Sequence, residues 1–313
     1  MAIELVVRPR ETLSWEEFRA TAPPFSIALD GFVNDYIKFD PSIPLANYNH
    51  HEGCDRLGTR STCAQVMMAI KQGVFLTFRK DGEPTAILHV NDPDNDVCMS
   101  VWLLKNYERI AGIKSEPLIT RLVAVVDFLD STAGLFPLDV NSRIRREIGW
   151  IFEPYTKARQ SSELSDMGAE KMTALIEEVC ERISDYTLGK GQKINLSVDY
   201  KIIYRGTGWA MIEENGYDAR SQLANDGIHA FISVKQLPNG RLNCSLGKMS
   251  PYVPFPILQL YDDLNQAEGN PTKAKDRWGG GDTIGGAPRN GGTKLTMERI
   301  QQVTEARINS MPR

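Results

Sequence analysis

Two short runs hold three of the four histidines in this chain together with a cluster of aspartates: IALDGFVNDYIKFDPSIPLANYNHHEGCDR and ILHVNDPDNDVCMSVWLL. In the second run Asp92, Asp94 and Asp96 recur at every second residue, with His89 just upstream and Ser100 just downstream. In an extended backbone a period of two turns alternate side chains the same way. Carboxylates crowded on one side repel one another, so the pattern predicts a bound divalent cation. In the first run Asn49, His50 and His51 follow an extended segment, with Asp30 and Asp40 upstream as competing ligands. Imidazole and carboxylate donors together suit manganese, zinc or iron better than calcium, which takes oxygen ligands. The chemistry expected is that of a two-metal hydrolytic centre.

HVNDPDNDVCMS resembles the first motif of the DHH phosphoesterase superfamily, a histidine followed by Pro-Asp-x-Asp and a serine four residues on. NYNHHEG is similar to the Asp-His-His motif that names the superfamily, with Asn49 in place of the aspartate. STAGLF, after Asp130, resembles the Asp-Thr-Gly-x-Phe stretch of the fourth motif, and WGGGDTIGGAPRNGG resembles the glycine-rich substrate motif of the accessory domain, with Asp282 in place of its histidine. The Asp-His-His-like motif precedes the Pro-Asp-x-Asp motif, the reverse of the usual order, so the chain reads as a divergent or permuted member.

The resemblance implies metal ligands at Asp30, His50, His89, Asp94, Asp96 and Asp130, with Asp96 and His51 taking part in catalysis and two divalent ions, manganese first. The glycine-rich motif implies substrate contacts along Gly279, Gly280, Gly281, Asp282, Gly285 and Gly286 with Arg289 beside them, and Arg56 or Arg60, just after the histidine pair, is expected to clamp a phosphate. The activity implied is hydrolysis of a small phosphorylated substrate: a short oligonucleotide, cyclic dinucleotide, nucleotide or polyphosphate. The alternative is a nucleotide-binding protein that kept the fold and lost turnover through Asn49 and Asp282.

These residues need elements to hold them. After NHHEG, the run RSTCAQVMMAIKQG places Cys63, Val66, Met67 and Ile70 at helical spacing and ends at Gly73. FLTF and AILHV follow as expected strands, and the apolar VCMSVWLL as a helix. SEPLITRLVAVVDFLD predicts a helix capped by Ser115, with Asp130 as its ligand and Asp127 left between a site role and a solvated helix end. Met172, Leu175, Ile176, Val179 and Ile183 make one stripe of an amphipathic helix. KIIYRG, AMIEE, HAFISVKQ and RLNCSLGK read as strands between Gly, Asn and Pro turns, and TMERIQQVTEARI as a last helix. The fold class expected is α/β: an N-terminal, mostly parallel sheet flanked by helices over residues 1–160, a connector helix over 161–192, and a smaller α+β domain over 193–313 carrying the glycine-rich loop.

Composition sets outer bounds. With 313 residues, 42% apolar and 24% charged, the chain has room for two ordinary folded domains. Five scattered cysteines without a CxxC pair read as reduced thiols, the N-terminus lacks signal-peptide features, and no apolar run spans a bilayer. A cytoplasmic address without membrane partners is therefore expected, and oligomeric state stays open. Net charge is -4, but residues 271–313 carry eight Lys or Arg against four Asp or Glu. A basic tail beside an acidic half suits a small anionic substrate, and the balance argues against long duplex nucleic acid.

Overall fold

The computed structural model describes residues 2–51, 53–161, 163–270, 276–288 and 291–311. It divides into two compact units, Met1–Asp130 with Arg143–Asn195, and Ser131–Ser142 with Leu196–Arg313. The helix expected as a connector lies inside the first unit, and a twelve-residue stretch before it belongs to the second.

In chain order the first unit comprises β1 (Ala2–Val7), α1 (Trp15–Thr21), β2 (Ser26–Leu29), β3 (Lys38–Asp40), β4 (Leu45–Tyr48), α2 (Arg56–Thr59), α3 (Thr62–Lys71), α4 (Val74–Thr77), β5 (Arg79–Lys80), β6 (Glu83–Val90), α5 (Asn95–Lys105), α6 (Pro117–Ser131), α7 (Arg143–Ile151), α8 (Glu153–Gln160) and α9 (Ala169–Thr187). Its sheet runs β1-β6-β2-β4-β3, with β1, β6, β2 and β4 mutually parallel and β3 antiparallel at the edge. The α/β expectation holds at this level. Three neighbouring strands, β6, β2 and β4, point their carboxyl ends to one edge, and chain order reverses on either side of β2. Such an edge is where open α/β sheets bind ligands.

Burial explains the helices. Every residue from Asp96 to Leu104 of α5 is buried, so this helix is apolar on all sides because α3, α9 and β1 all pack on it. The predicted stripe of α9 is buried throughout. Each such aliphatic side chain contributes roughly 1.5–3 kcal/mol of transfer free energy. FLTF is not a strand: Val74–Thr77 is one helical turn, which buries Phe75 and Phe78 three positions apart before the chain enters β5. A short apolar run has no periodicity to separate the two forms, and here the neighbouring core decided.

The second unit holds β7 (Tyr200–Gly206), β8 (Trp209–Glu214), α10 (Ala219–Asn225), β9 (Ala230–Gln236), β10 (Leu242–Lys248), α11 (Ile257–Glu268), β11 (Gly279–Gly280), β12 (Ile284–Gly286) and α12 (Met297–Asn309). Its sheet runs β11-β12-β10-β9-β8-β7, with only the β8–β9 pair parallel. Two cores form on this sheet, one under α11 and α12 around Trp209, Trp278 and Leu260, the other under α10 around Phe231, Leu223 and Leu135. No helix among the described residues is long and apolar enough to cross a membrane.

Candidate metal centre

Asp30 directly follows β2 in a left-handed conformation, φ 47°, which aspartate tolerates better than most residues. Gly31 follows at φ 80°, and a Cβ there would lie 3.1 Å from the His51 ring, so glycine makes room for that histidine. The corner aims the Asp30 carboxylate across the sheet edge toward the residues after β4. There His50 is fully buried and its Nε2 lies 2.9 Å from Asp130 Oδ2, 3.3 Å from Asp30 Oδ1 and 3.6 Å from Asp96 Oδ2. His51 Nε2 reaches the same Asp30 oxygen at 2.8 Å, with its side chain 39% exposed. Four separate segments thus bring Asp30, His50, His51, Asp96 and Asp130 together.

The arrangement fits a cation. One imidazole nitrogen can donate a single proton, yet His50 Nε2 faces three carboxylate oxygens. Asp130 Oδ2 is buried without a well-aligned hydrogen bond among the described residues. Two overlapping groupings, Asp30–His50–His51 and His50–Asp96–Asp130, place ligand atoms within 4.8 Å of one another. These buried Asp and His groupings could hold a metal ion through mixed nitrogen and oxygen donors.

Asp96 sits between two helix N-termini, in the first turn of α5 and against the start of α3. Its Oδ2 accepts the N–H of Thr62 at 2.6 Å and its Oδ1 the N–H of Cys63 at 2.7 Å. The Thr62 hydroxyl donates to Asp30 Oδ1 at 3.1 Å. Asp94 caps α5 by accepting the Val97 N–H at 2.9 Å and lies at the rim of the cluster, outside both groupings.

Without a cation the charges strain against one another. Burial and the repulsion of Asp30 and Asp130 push the Asp96 carboxyl up to about 7. Burial and the neighbouring aspartates raise Asp94 well above the usual range. Burial would also raise Asp30 and Asp130, but the imidazoles beside Asp30, and His50 with Arg56 beside Asp130, outweigh it and hold both low. Burial disfavours the His50 imidazolium, yet Asp130 overcomes that and lifts its pKa to about 10.

His89 takes no part. It is on β6, level with Ala28 of β2, and the alternation of the strand turns its ring to the face covered by α1. There it contacts Phe18 and Phe32, each at 5.4 Å between ring centroids, and shares a 3.1 Å hydrogen bond with Ser26 Oγ. Nor do Asp92, Asp94 and Asp96 form an extended row: the chain turns helical at Asn95, which leaves Asp92 exposed and Asp96 buried. Asp40, the competitor of Asp30, pairs with Arg19 at 2.6 Å and Ser42 on the edge strand.

Arg56 is buried rather than open to substrate. Its Nη1 donates to the Asp130 carbonyl at 2.9 Å and its Nε to the His50 carbonyl at 3.3 Å, tying two ligand-bearing segments together. The glycine-rich run is an ordered hairpin, β11 and β12, added to the edge of β10. A Cβ on Gly285 would fall 2.2 Å from the Tyr261 hydroxyl, and one on Gly280 2.4 Å from the Gly285 Cα, so close packing accounts for these glycines. The Gly281 N–H is spent on the Ile284 carbonyl and its oxygen accepts from the Tyr261 hydroxyl, while Gly279 and Gly286 are paired across the hairpin. Asp282 is half-buried in the turn with Oδ1 unsatisfied among the described residues. Arg289 lies outside the described residues.

Ser61, Thr62, Cys63 and Asp127 contribute geometry that no motif announced. The only local signal is Ser61 as a helix cap, its hydroxyl accepting the Ala64 N–H. No protein-family model, curated protein or solved structure matches this chain.

Proposed function

We propose that this chain is a metal-dependent phosphoesterase of the DHH type, hydrolysing a small phosphorylated substrate with two divalent ions, manganese first. One observation carries the reading: the buried His50 nitrogen faces oxygens of Asp30, Asp96 and Asp130, all within 3.6 Å, at the carboxyl edge of a parallel sheet. The motifs that resemble the superfamily account for three of those residues, His50, Asp96 and Asp130, which supports the assignment to phosphoryl chemistry.

An imidazole nitrogen has one lone pair and would serve one ion, so carboxylates would have to hold a second. Asp30, within reach of both histidines, is the residue suited to that role. When bound, the ions supply Lewis acidity toward water and the phosphoryl oxygens. The protein's own groups do the rest. Asp96 is held by two helix N–H donors, Asp30 is oriented by the Thr62 hydroxyl, and the part-exposed His51, held through Nε2 by Asp30, is the side chain placed to stabilise the transferring phosphoryl group.

The test is manganese-dependent release of phosphate or nucleotide from short oligonucleotides, cyclic dinucleotides and polyphosphate, beside the Asp96→Ala and Asp130→Ala variants. Turnover that needs the metal and falls at least 100-fold in both variants supports the proposal. Metal-independent turnover, or turnover retained in both variants, would overturn it.

A further inference from the structure

The start of α3 is gripped by two carboxylates from two other helices. Thr62 and Cys63 give their N–H groups to Asp96 of α5, and the preceding Ser61 gives its N–H to Asp127 Oδ1 of α6 at 2.8 Å. Asp127 Oδ2 accepts from the Arg60 guanidinium, which also lies 5.5 Å from the centre of the Phe128 ring. Asp127 is 1% exposed and stands one helical turn before Asp130. Three consecutive backbone donors therefore link the helix that carries Asp96 to the helix that carries Asp130.

The corner between α2 and α3 is itself strained. Arg60 has φ 66° and ψ 174°, a region that non-glycine residues rarely enter. Such a conformation persists only where its surroundings over-determine it. Here the Arg60 N–H donates to the Arg56 carbonyl, its own carbonyl accepts from the Gln65 amide at 3.0 Å, and its side chain is anchored by Asp127. The same corner places Arg56 behind His50 on one side and the α3 N–H groups in front of Asp96 on the other.

We infer that Asp127 is a positioning residue for the metal centre, setting the spacing of Asp96 against Asp130 through the Arg60–Ser61 corner; the inference rests on the metal-centre reading proposed above. Asp127 contributes no ligand atom to either grouping, so its effect passes through Asp96.

The experiment is a manganese titration of the full chain, followed by the electron spin resonance of the free ion, for the wild type, Asp127→Asn, Asp127→Ala, Asp96→Ala and the Asp96→Ala, Asp127→Ala double variant, with folding checked by circular dichroism. Partners that orient metal ligands cost about 10–100-fold in affinity when removed. Asp127→Ala is expected to weaken binding at least 10-fold, and Asp127→Asn less, because its amide oxygen still accepts from Ser61. In the Asp96→Ala background the further loss of Asp127 is expected to change nothing, which a merely structural role would not produce. A folded Asp127→Ala with wild-type affinity, or the same loss in both backgrounds, overturns the inference. Should Asp127→Ala fail to fold, an unchanged affinity in Asp127→Asn overturns it equally. A wild type that binds no manganese overturns the metal centre itself and this role with it.

Discussion

The side-chain amide of Asn49 donates to the Asp35 carbonyl at 2.9 Å, and its oxygen accepts the His51 N–H at 3.2 Å. A donor and an acceptor are both required; an amide supplies both, whereas an ionised carboxylate supplies only the acceptor. Asn49 is fully buried, so the residue that stands where the resemblance has an acidic ligand braces the loop before His51 instead. Asn49→Asp is therefore expected to lower unfolding free energy by about 1–3 kcal/mol, the cost of an unmet buried hydrogen bond, with no gain in metal affinity. Urea denaturation alongside a manganese titration reads both; tighter metal binding in this variant would mean that Asn49 is a lost ligand after all.

His50 predicts proton release on metal binding. Its folded, metal-free pKa of about 10 lies above the ordinary 6.5, so the stabilisation it gives is complete below pH 6.5 and is lost as pH rises through 10. A metal ion at Nε2 competes with that proton. At pH 7.5 binding should release about one proton per ion at this position, and affinity should rise with pH. Calorimetry in buffers of different ionisation enthalpy measures the proton count, which His50→Gln should reduce. Affinity independent of pH between 6 and 9 would contradict the assignment.

His89 predicts the opposite behaviour. Burial, with a smaller contribution from Arg8, pushes its pKa down to about 4, so between pH 6.5 and 4 the unfolded chain binds a proton that the folded one refuses. Stability should fall as pH drops through that window, by up to about 3 kcal/mol. His89→Phe, which keeps the contacts with Phe18 and Phe32, should flatten this dependence and leave manganese affinity unchanged. Loss of metal binding in that variant would return His89 to the ligand set.

Gly285 tests the hairpin. An alanine methyl there meets the Tyr261 hydroxyl and the Gly279 carbonyl at 2.2 and 2.4 Å, so Gly285→Ala should cost about 1–3 kcal/mol through overpacking. Tyr261→Phe removes the closest of three clashes but leaves the ring carbon Cζ at 2.6 Å, so it should recover only a small part of that loss in the double variant. An alanine as stable as the wild type would show this glycine to be free for a ligand-facing role.

Much of the fold was legible because it is written in local periodicity. The stripe from Met172 to Ile183 and the four strands between Tyr200 and Lys248 appear in the sequence as they do in the structure. His50, Asp30, Asp96 and Asp130 were legible through motif resemblance, and their convergence follows from strands ending on one edge. The Asp92–Asp96 row was misread because two-residue spacing carries meaning only in extended chain. Asp94 before an apolar run was the available sign of a helix start. Asp127 stays open between a site role and a solvated helix end in the sequence, since what buries it is the start of a helix 66 residues away. His89 shows the converse: its type suggested a ligand, and strand parity decided which face it joined.

The chain leaves the first unit at Ser131, returns at Arg143, and leaves again at Leu196. Leu135, on the short excursion, is fully buried among Ala210, Ile212, Leu223 and Phe231 of the second unit. Neither half can therefore be cut out as one uninterrupted stretch of gene: a fragment from residue 196 onward would expose a hole where Leu135 belongs, and one ending at residue 195 would carry an orphaned loop with an apolar tip. Exchange of either half between proteins by simple recombination is blocked for the same reason, which ties the inheritance of the glycine hairpin to that of the aspartates.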